Sequence, residues 1–229
     1  VPFLPGHFTI KKADSKAIHA VASAPYGSAS ILPISYGYIK LLGAEGLTEA
    51  TRLAILNANY LKARLAGHYK ILYTGAQGHV GHEMILDCNE FSKMADIQVG
   101  DLAKRLMDYG FHAPTVAFPV HGTLMVEPTE SEPLDELDRF VDAMVAIRAE
   151  IEEIASGKAD RSNNVIKNAP HTLEMVASDT WEFPYSRKKA AFADTKEITS
   201  KYWPAVTRID EALGDRNLVC TYSPVQFEE

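Results

Sequence analysis

The 229-residue chain has few cysteines and a deficit of positive charge. Its two cysteines, Cys88 and Cys220, lie far apart, match no metal-ligand spacing and are too few for a disulfide scaffold, which favours a reducing, intracellular compartment. Lys and Arg together number 23 against 30 Asp and Glu, a formal charge of -7. The net field therefore repels nucleic acid and anionic membranes, and we expect neither as a partner.

Long apolar runs and the common catalytic motifs are also missing. No apolar stretch approaches the ~20 residues that cross a bilayer. Neither a Gly-x-Ser-x-Gly elbow, a phosphate-binding P-loop nor a Gly-x-Gly-x-x-Gly fingerprint occurs, so covalent hydrolysis and the usual nucleotide sites have no support. The chain begins with Val1 rather than Met, and residues 1–7 are typical of a loop, so we expect a fragment of a longer polypeptide.

Apolar spacing and turn residues divide the middle of the chain into helices and strands. The predicted helices are residues 47–65, 99–109 and a long one with core residues from Leu134 to Ile154, and the predicted strands are residues 70–73, 82–87, 115–118 and 123–127. Thr48 is the expected N-cap of the first helix. Strands followed by helices that cover one sheet face predict a two-layer α+β fold.

The last third of the chain is less regular. Four prolines punctuate residues 157–229, and only residues 205–213 show a short helical pattern. We expect three regions: a loop and helix over residues 1–45, an α+β domain over residues 46–156, and an irregular tail over residues 157–229 that wraps the same domain.

Two clusters of possible metal ligands have alternative interpretations. Residues 79–83 (HVGHE) reverse the His-Glu-x-x-His order that places two histidines on one helical face, so we favour a structural or substrate-adjacent role and predict no metal. Residues 127–136 are rich in acid, which suits a divalent cation. They also suit a helix N-terminus capped by Thr129 or Ser131, which we favour.

The turn around residues 26–30 (YGSAS) is the strongest local candidate for anion binding. Gly27 permits a tight turn, Ser28 and Ser30 supply hydroxyl groups, and a helix start directly behind them offers free amide groups. A phosphate group suits this arrangement. A simple helix cap is the alternative on local chemistry alone.

Several long segments together resemble one known family. They are residues 2–7 (PFLPGH), 24–34 (APYGSASILPI), 81–87 (GHEMILD), 109–115 (YGFHAPT), 122–132 (GTLMVEPTESE), 181–187 (WEFPYSR), 202–204 (YWP) and 218–221 (LVCT). In this order they closely resemble the C-terminal portion of glycine dehydrogenases (decarboxylating), the P proteins of the glycine cleavage system. The resemblance covers essentially the whole chain and is specific.

The resemblance implies the small C-terminal domain of a fold-type I enzyme dependent on pyridoxal 5'-phosphate (PLP). In this family the lysine that holds PLP follows a histidine shortly before a PFLPGH-like loop. The 229 residues contain no His-Lys dipeptide. We therefore expect region 1–45 to follow the lysine segment, and the chain to be inactive alone, with no catalytic residue of its own.

The same resemblance implies a reaction and partners. The family decarboxylates glycine and transfers the aminomethyl group to a lipoyl group on the H protein, as a homodimer or heterotetramer in the cytoplasm or mitochondrial matrix; we favour the cytoplasm. The rest of the P protein would then be a further partner. The alternative is a non-catalytic module that binds a carrier protein or a dimer partner. The basic residues Arg187, Lys188 and Lys189 are a candidate contact for an acidic carrier.

Site residues carried over from the family fall in two groups. The resemblance assigns Gly27, Ser28 and Ser30 to the cofactor phosphate. His112 is the first candidate for a substrate-adjacent residue, followed by His121 and His82. Many related PLP enzymes carry a carboxylate-binding arginine near residues 120–123, and this sequence has none there, which suits an enzyme that expels the carboxylate.

Overall fold

The computed structural model describes residue 16, residues 27–192 and residues 201–218. The predictions for residues 1–7, Tyr26 and Cys220 lie outside these ranges. The chain divides into two compact units, Val1–Thr51 and Arg52–Glu229, which are described separately. No helix among the described residues is long and apolar enough to cross a membrane.

In the first unit, the turn at Gly27 leads into a 3₁₀ helix, Ala29–Ile31, and then into α1, Leu32–Leu65, which continues into the second unit. A single non-helical residue, Gly43, interrupts α1. The prediction of Thr48 as an N-cap is wrong, because Thr48 lies inside the helix and its hydroxyl donates to the carbonyl of Ala44 at 3.0 Å. The helix start predicted behind residues 26–30 is confirmed by the 3₁₀ helix and the first turns of α1. The pattern did not predict that this helix continues past Gly43 into the helix predicted at residues 47–65.

The second unit contains a four-stranded antiparallel sheet in the order β1-β2-β4-β3. The strands are β1 Lys70–Ile71, β2 Met84–Asp87, β3 Thr115–Val116 and β4 Thr123–Val126. The four predicted strands are confirmed, with shorter bounds. In the central pair, Met84 faces Val126 and Leu86 faces Leu124, and these four side chains form the core face of the sheet.

Among the described residues, six further helices follow α1 in the second unit. They are α2 Asn89–Ala95, α3 Val99–Asp108, α4 Leu134–Ala155, α5 Leu173–Ala177, α6 Arg187–Ala191 and α7 Glu211–Arg216. The predicted helices at α3 and α4 are confirmed, whereas α2 was not predicted. Together with the sheet, α2, α3 and α4 enclose one hydrophobic core, which confirms the α+β class.

The start of α4 differs from the prediction. Pro133 is the N-cap, while the hydroxyls of Thr129 and Ser131 bond to each other at 2.7 Å, so neither of them caps the helix. Leu134 is 60% exposed rather than buried, because it stands in the first turn before the helix meets the core. The remaining predicted face is buried or packed against the core.

A buried arginine holds the last third of the second unit to its core. Arg105 on α3 is fully buried, and its five N–H groups have five acceptors. Glu150 on α4 accepts two hydrogen bonds, at 2.9 and 2.6 Å, and Asp108 accepts one at 2.9 Å. The carbonyls of Lys189 and Ala190 accept the other two. Although burial opposes the charge, Glu150 and Asp108 raise the pKa of Arg105 above its ordinary value.

We expect Arg105→Met to lower the free energy of unfolding by about 3–5 kcal/mol, because it leaves two buried carboxylates without their cation. Urea unfolding followed by tryptophan fluorescence measures this change. The control is Lys70→Met, which removes the exposed Lys70–Asp87 pair and should cost less than about 1 kcal/mol. Equal effects of the two substitutions would contradict the assigned role of Arg105.

Candidate functional site

The predicted phosphate-binding residues lie at the start of the helical segment in the first unit. Gly27 has a φ of 82°, in the left-handed region that favours glycine, and no neighbouring atom lies within 4 Å of where its Cβ would be. Ser28 is the N-cap of the 3₁₀ helix, but its hydroxyl makes no capping hydrogen bond. Gly27, Ser28 and Ser30 are all exposed.

The three predicted substrate-adjacent histidines divide between the two ends of the sheet. His82 lies two residues before β2, at the end where Met84 pairs with Val126. His112 precedes β3, whose first residue pairs with Met125, so it belongs to the same end. His121 precedes β4 at the opposite end, where Asp87 pairs with Thr123. All three histidines are exposed.

At the first of these ends, the fold brings Glu127 to the His82-Glu83 pair. His82 Nε2 lies 3.5 Å from Glu127 Oε1 and 3.9 Å from Glu83 Oε2. One ligand atom from each of the three residues lies within 4.8 Å of the others. Along the sequence, residues 79–83 and residues 127–136 form two separate clusters. The hydrophobic pattern gave both strands, but it did not give the register that joins their ends.

A second polar arrangement lies in the interior and was not predicted. His171 is fully buried; its Nδ1 lies 2.8 Å from an Asp108 carboxylate oxygen, and its Nε2 lies 2.8 Å from the Tyr185 hydroxyl. The backbone N–H of His171 also donates to Asp108. Burial raises the pKa of Tyr185 to about 12, so this phenol keeps its proton at neutral pH. The arrangement extends from Arg105 through Asp108 to the tail.

A surface pocket of about 420 Å³ lies in the same part of the tail. Met175, Trp181 and Phe183 form its apolar wall, and Ser178 and Thr180 contribute hydroxyl groups. The pocket is open, and none of the described residues that line it is basic.

The basic trio is mostly engaged within the chain. Arg187 donates to the carbonyl of Ser178 and lies over the ring of Trp181, at 5.2 Å. Lys189 pairs with Glu153. Two of the three positive charges are therefore committed to holding the tail, which weakens the interpretation of this segment as a surface for an acidic carrier.

Comparison with known proteins tests the family resemblance. The family described as glycine dehydrogenase, C-terminal domain, matches residues 50–171, just over half of the chain. The chain belongs to this family. Similar curated proteins are glycine dehydrogenases (decarboxylating) from Flavobacterium johnsoniae, 62% identical over 226 residues, and Christiangramia forsetii, 58% identical over 225 residues. A mitochondrial glycine dehydrogenase (decarboxylating) from Dictyostelium discoideum is 55% identical over 225 residues.

These alignments cover 98–99% of this chain but only 23% of each relative. The chain therefore spans about a quarter of the length of the glycine dehydrogenases that it matches. The resemblance inferred from the sequence segments is confirmed.

The donors at residues 27–30 could hold an anionic group such as a phosphate. The Ser28 hydroxyl is not used in capping, and the first amide groups of a helix have no acceptor within it. Open space at Gly27 allows a ligand to approach the backbone. Both features suit an anion at the positive end of the helix dipole.

Cys88 is an unsuitable nucleophile for any chemistry in this domain. It is buried, and its thiol lies 3.7 Å from the carbonyl of Leu86. Burial, with a smaller contribution from Asp87, raises the pKa of Cys88 to about 12. Because the thiolate is the reactive form, Cys88 is inert at neutral pH while the domain is folded.

In a Cys220→Ser background, we expect Cys88 to resist 5,5'-dithiobis(2-nitrobenzoic acid) at pH 8 in buffer and to react fully in 6 M guanidinium chloride. The raised pKa of Cys88 also makes the free energy of unfolding depend on pH. The folded state retains a proton that the unfolded thiol loses near its ordinary pKa, so this contribution falls as the pH rises above that value. Rapid labelling of the folded chain would contradict the burial of the thiol.

Proposed function

We propose that this chain is the C-terminal part of a PLP-dependent glycine dehydrogenase that decarboxylates glycine and passes the aminomethyl group to the lipoyl group of an H protein. The observation that carries the proposal is identity of 55–62% to glycine dehydrogenases (decarboxylating) over nearly the whole chain. Identity at this level over 225 residues supports the same small-domain role within a fold-type I enzyme.

Within that enzyme, residues 27–30 bind the phosphate of the cofactor. The Ser28 and Ser30 hydroxyls donate to phosphate oxygens, and the backbone at Gly27 approaches them closely because no side chain intervenes. When bound, PLP supplies the electron sink for loss of the carboxylate. The chain contributes orientation, since a fixed phosphate holds the ring in one position relative to the substrate.

The polar residues at the Met84–Val126 end of the sheet face solvent and are available to substrate. His112 is exposed, and no described side chain bonds to it, so its imidazole is free to hydrogen-bond with a ligand. Residues 120–123 carry no arginine. A decarboxylase gains little from a tight ion pair to the departing carboxylate, because only interactions that strengthen in the transition state accelerate the step.

The first unit supports the proposal that this chain works within a larger assembly. Between residues 31 and 41, α1 and its 3₁₀ entry expose several large apolar side chains: Ile31, Leu32, Ile34, Tyr36, Tyr38, Ile39 and Leu41. An apolar surface of this extent is typical of an interface. We assign it to contact with the cofactor-bearing part of the enzyme, in a homodimer or a heterotetramer, with the H protein as a transient partner in the cytoplasm.

Replacing Ser28 tests the phosphate site. In the complete enzyme, we expect Ser28→Ala to raise the Kd for PLP about three- to tenfold through the loss of one charge-assisted hydrogen bond. Fluorescence titration of the apoenzyme with PLP measures this Kd. Ser35→Ala is the matched control, because Ser35 is an exposed serine seven residues further along the same helical segment. An unchanged Kd for both Ser28→Ala and Ser30→Ala would remove the phosphate assignment.

We expect the 229-residue chain alone to release no labelled CO₂ from carboxyl-labelled glycine in the presence of PLP and lipoyl-H protein, because the family's His-Lys segment is absent from its sequence. Adding the separately produced remainder of the enzyme should restore release. Turnover by the isolated chain would refute this dependence. No release from the complete enzyme would refute the proposed reaction and favour a non-catalytic carrier-binding module.

A further inference from the structure

We propose that His82, Glu83 and Glu127 form a binding site for a divalent transition-metal ion at the Met84–Val126 end of the sheet. The proposal is independent of the decarboxylase function. It departs from the prediction of no metal at residues 79–83, because Glu127, the residue that follows β4, lies beside His82 and Glu83 only in the folded chain.

The strand register places the two carboxylates together. Met84 and Val126 pair in the antiparallel ladder, and Glu83 and Glu127 are the next residues outward on each strand. Glu83 and Glu127 therefore lie next to the paired ends of β2 and β4, one residue beyond each strand. The hydrogen-bonded pairing of β2 with β4 therefore fixes the backbone positions from which the two carboxylates extend.

The ligand atoms lie somewhat farther apart than in a small metal coordination shell. Tetrahedral coordination with bonds of about 2.0–2.1 Å separates neighbouring ligand atoms by about 3.3–3.4 Å. His82 Nε2 lies 3.5 Å from one Glu127 oxygen and 3.9 Å from one Glu83 oxygen. Small rotations of these exposed side chains would bring all three ligand atoms to bonding distance of one ion. The remaining coordination positions would be open to water or to an exogenous ligand.

The local charge favours a cation. Like charges opposite each other at the end of an antiparallel pair repel. Among the described residues, no Lys or Arg forms an ion pair with Glu83 or Glu127, and His82 is their one basic contact. A bound divalent ion would compensate both carboxylates and use the neutral imidazole as a third ligand.

The ligand set selects the class of metal. One imidazole nitrogen with two carboxylate oxygens suits Zn²⁺ or a neighbouring first-row ion, whereas Mg²⁺ and Ca²⁺ prefer oxygen ligands alone. No thiol belongs to the cluster, so the shell differs from a structural cysteine site. The three side chains are 41–59% exposed, so the ion would be accessible to solvent.

Isothermal titration of the untagged 229-residue chain with ZnCl₂ tests the site. We expect one Zn²⁺ per chain, with Kd raised at least tenfold by His82→Ala and by Glu127→Gln. The matched control is His79→Ala, which removes an exposed histidine three residues from His82 that is not part of the cluster and should change Kd less than twofold. Circular dichroism verifies that each variant is folded.

X-ray absorption at the zinc edge provides a second readout. We expect a shell of nitrogen and oxygen atoms at about 2.0–2.1 Å with an imidazole contribution that His82→Ala abolishes. Sulfur in the shell would overturn the proposal. So would the absence of saturable binding up to 100 µM Zn²⁺, or an equal loss of affinity in His79→Ala and His82→Ala.

Discussion

The second unit depends on the charge at its centre, the guanidinium of Arg105. Its five N–H groups meet two carboxylates and two backbone carbonyls contributed by α3, α4 and α6. A buried cation this completely paired holds segments 45 and 85 residues away along the chain in one geometry, because any other arrangement leaves a buried group unsatisfied. Apolar packing holds the sheet to its helices and includes Val165 and Ile166 of the tail, and the polar contacts of Arg105 add α6 to this core.

The carboxylates that Arg105 needs also organise the tail beyond α6. Asp108 accepts from Arg105 and, through its two oxygens, from the backbone and ring of His171. The other ring nitrogen of His171 hydrogen-bonds to the Tyr185 hydroxyl, and the rings of Trp181 and Phe183 pack against the His171 ring. The rings of Trp181 and Phe183, which form part of the apolar wall of the tail pocket, therefore pack against a histidine that the buried Asp108 of α3 holds in place.

The sequence contains the information for elements with one-sided periodicity. Helix α3, the core face of α4 and the four strands follow from apolar spacing and from their bounding glycines. It did not predict that the helix behind residues 26–30 is continuous with the helix predicted at residues 47–65, or that Pro133 is the N-cap of α4. Arg105 gave no signal because Glu150 and the carbonyls of Lys189 and Ala190 are distant from it in sequence. The contact between Glu127 and His82 likewise depends on the register between β2 and β4, and the spacing of residues along one strand does not determine that register.

Burial separates the polar groups of this domain into two classes. In the first class, the polar side chains are buried and bond to one another, so they are not available to a ligand. Its members are Arg105, Asp108, Glu150 and His171. By contrast, His112, His82 and Glu127 are exposed and Glu83 is half-buried, so these groups can be reached by a ligand. All of these lie toward the Met84–Val126 end of the sheet, although they come from three separate segments. Of the predicted site residues in this domain, His121 alone lies at the opposite end of the sheet. Substrate and metal contacts are therefore expected at the Met84–Val126 end.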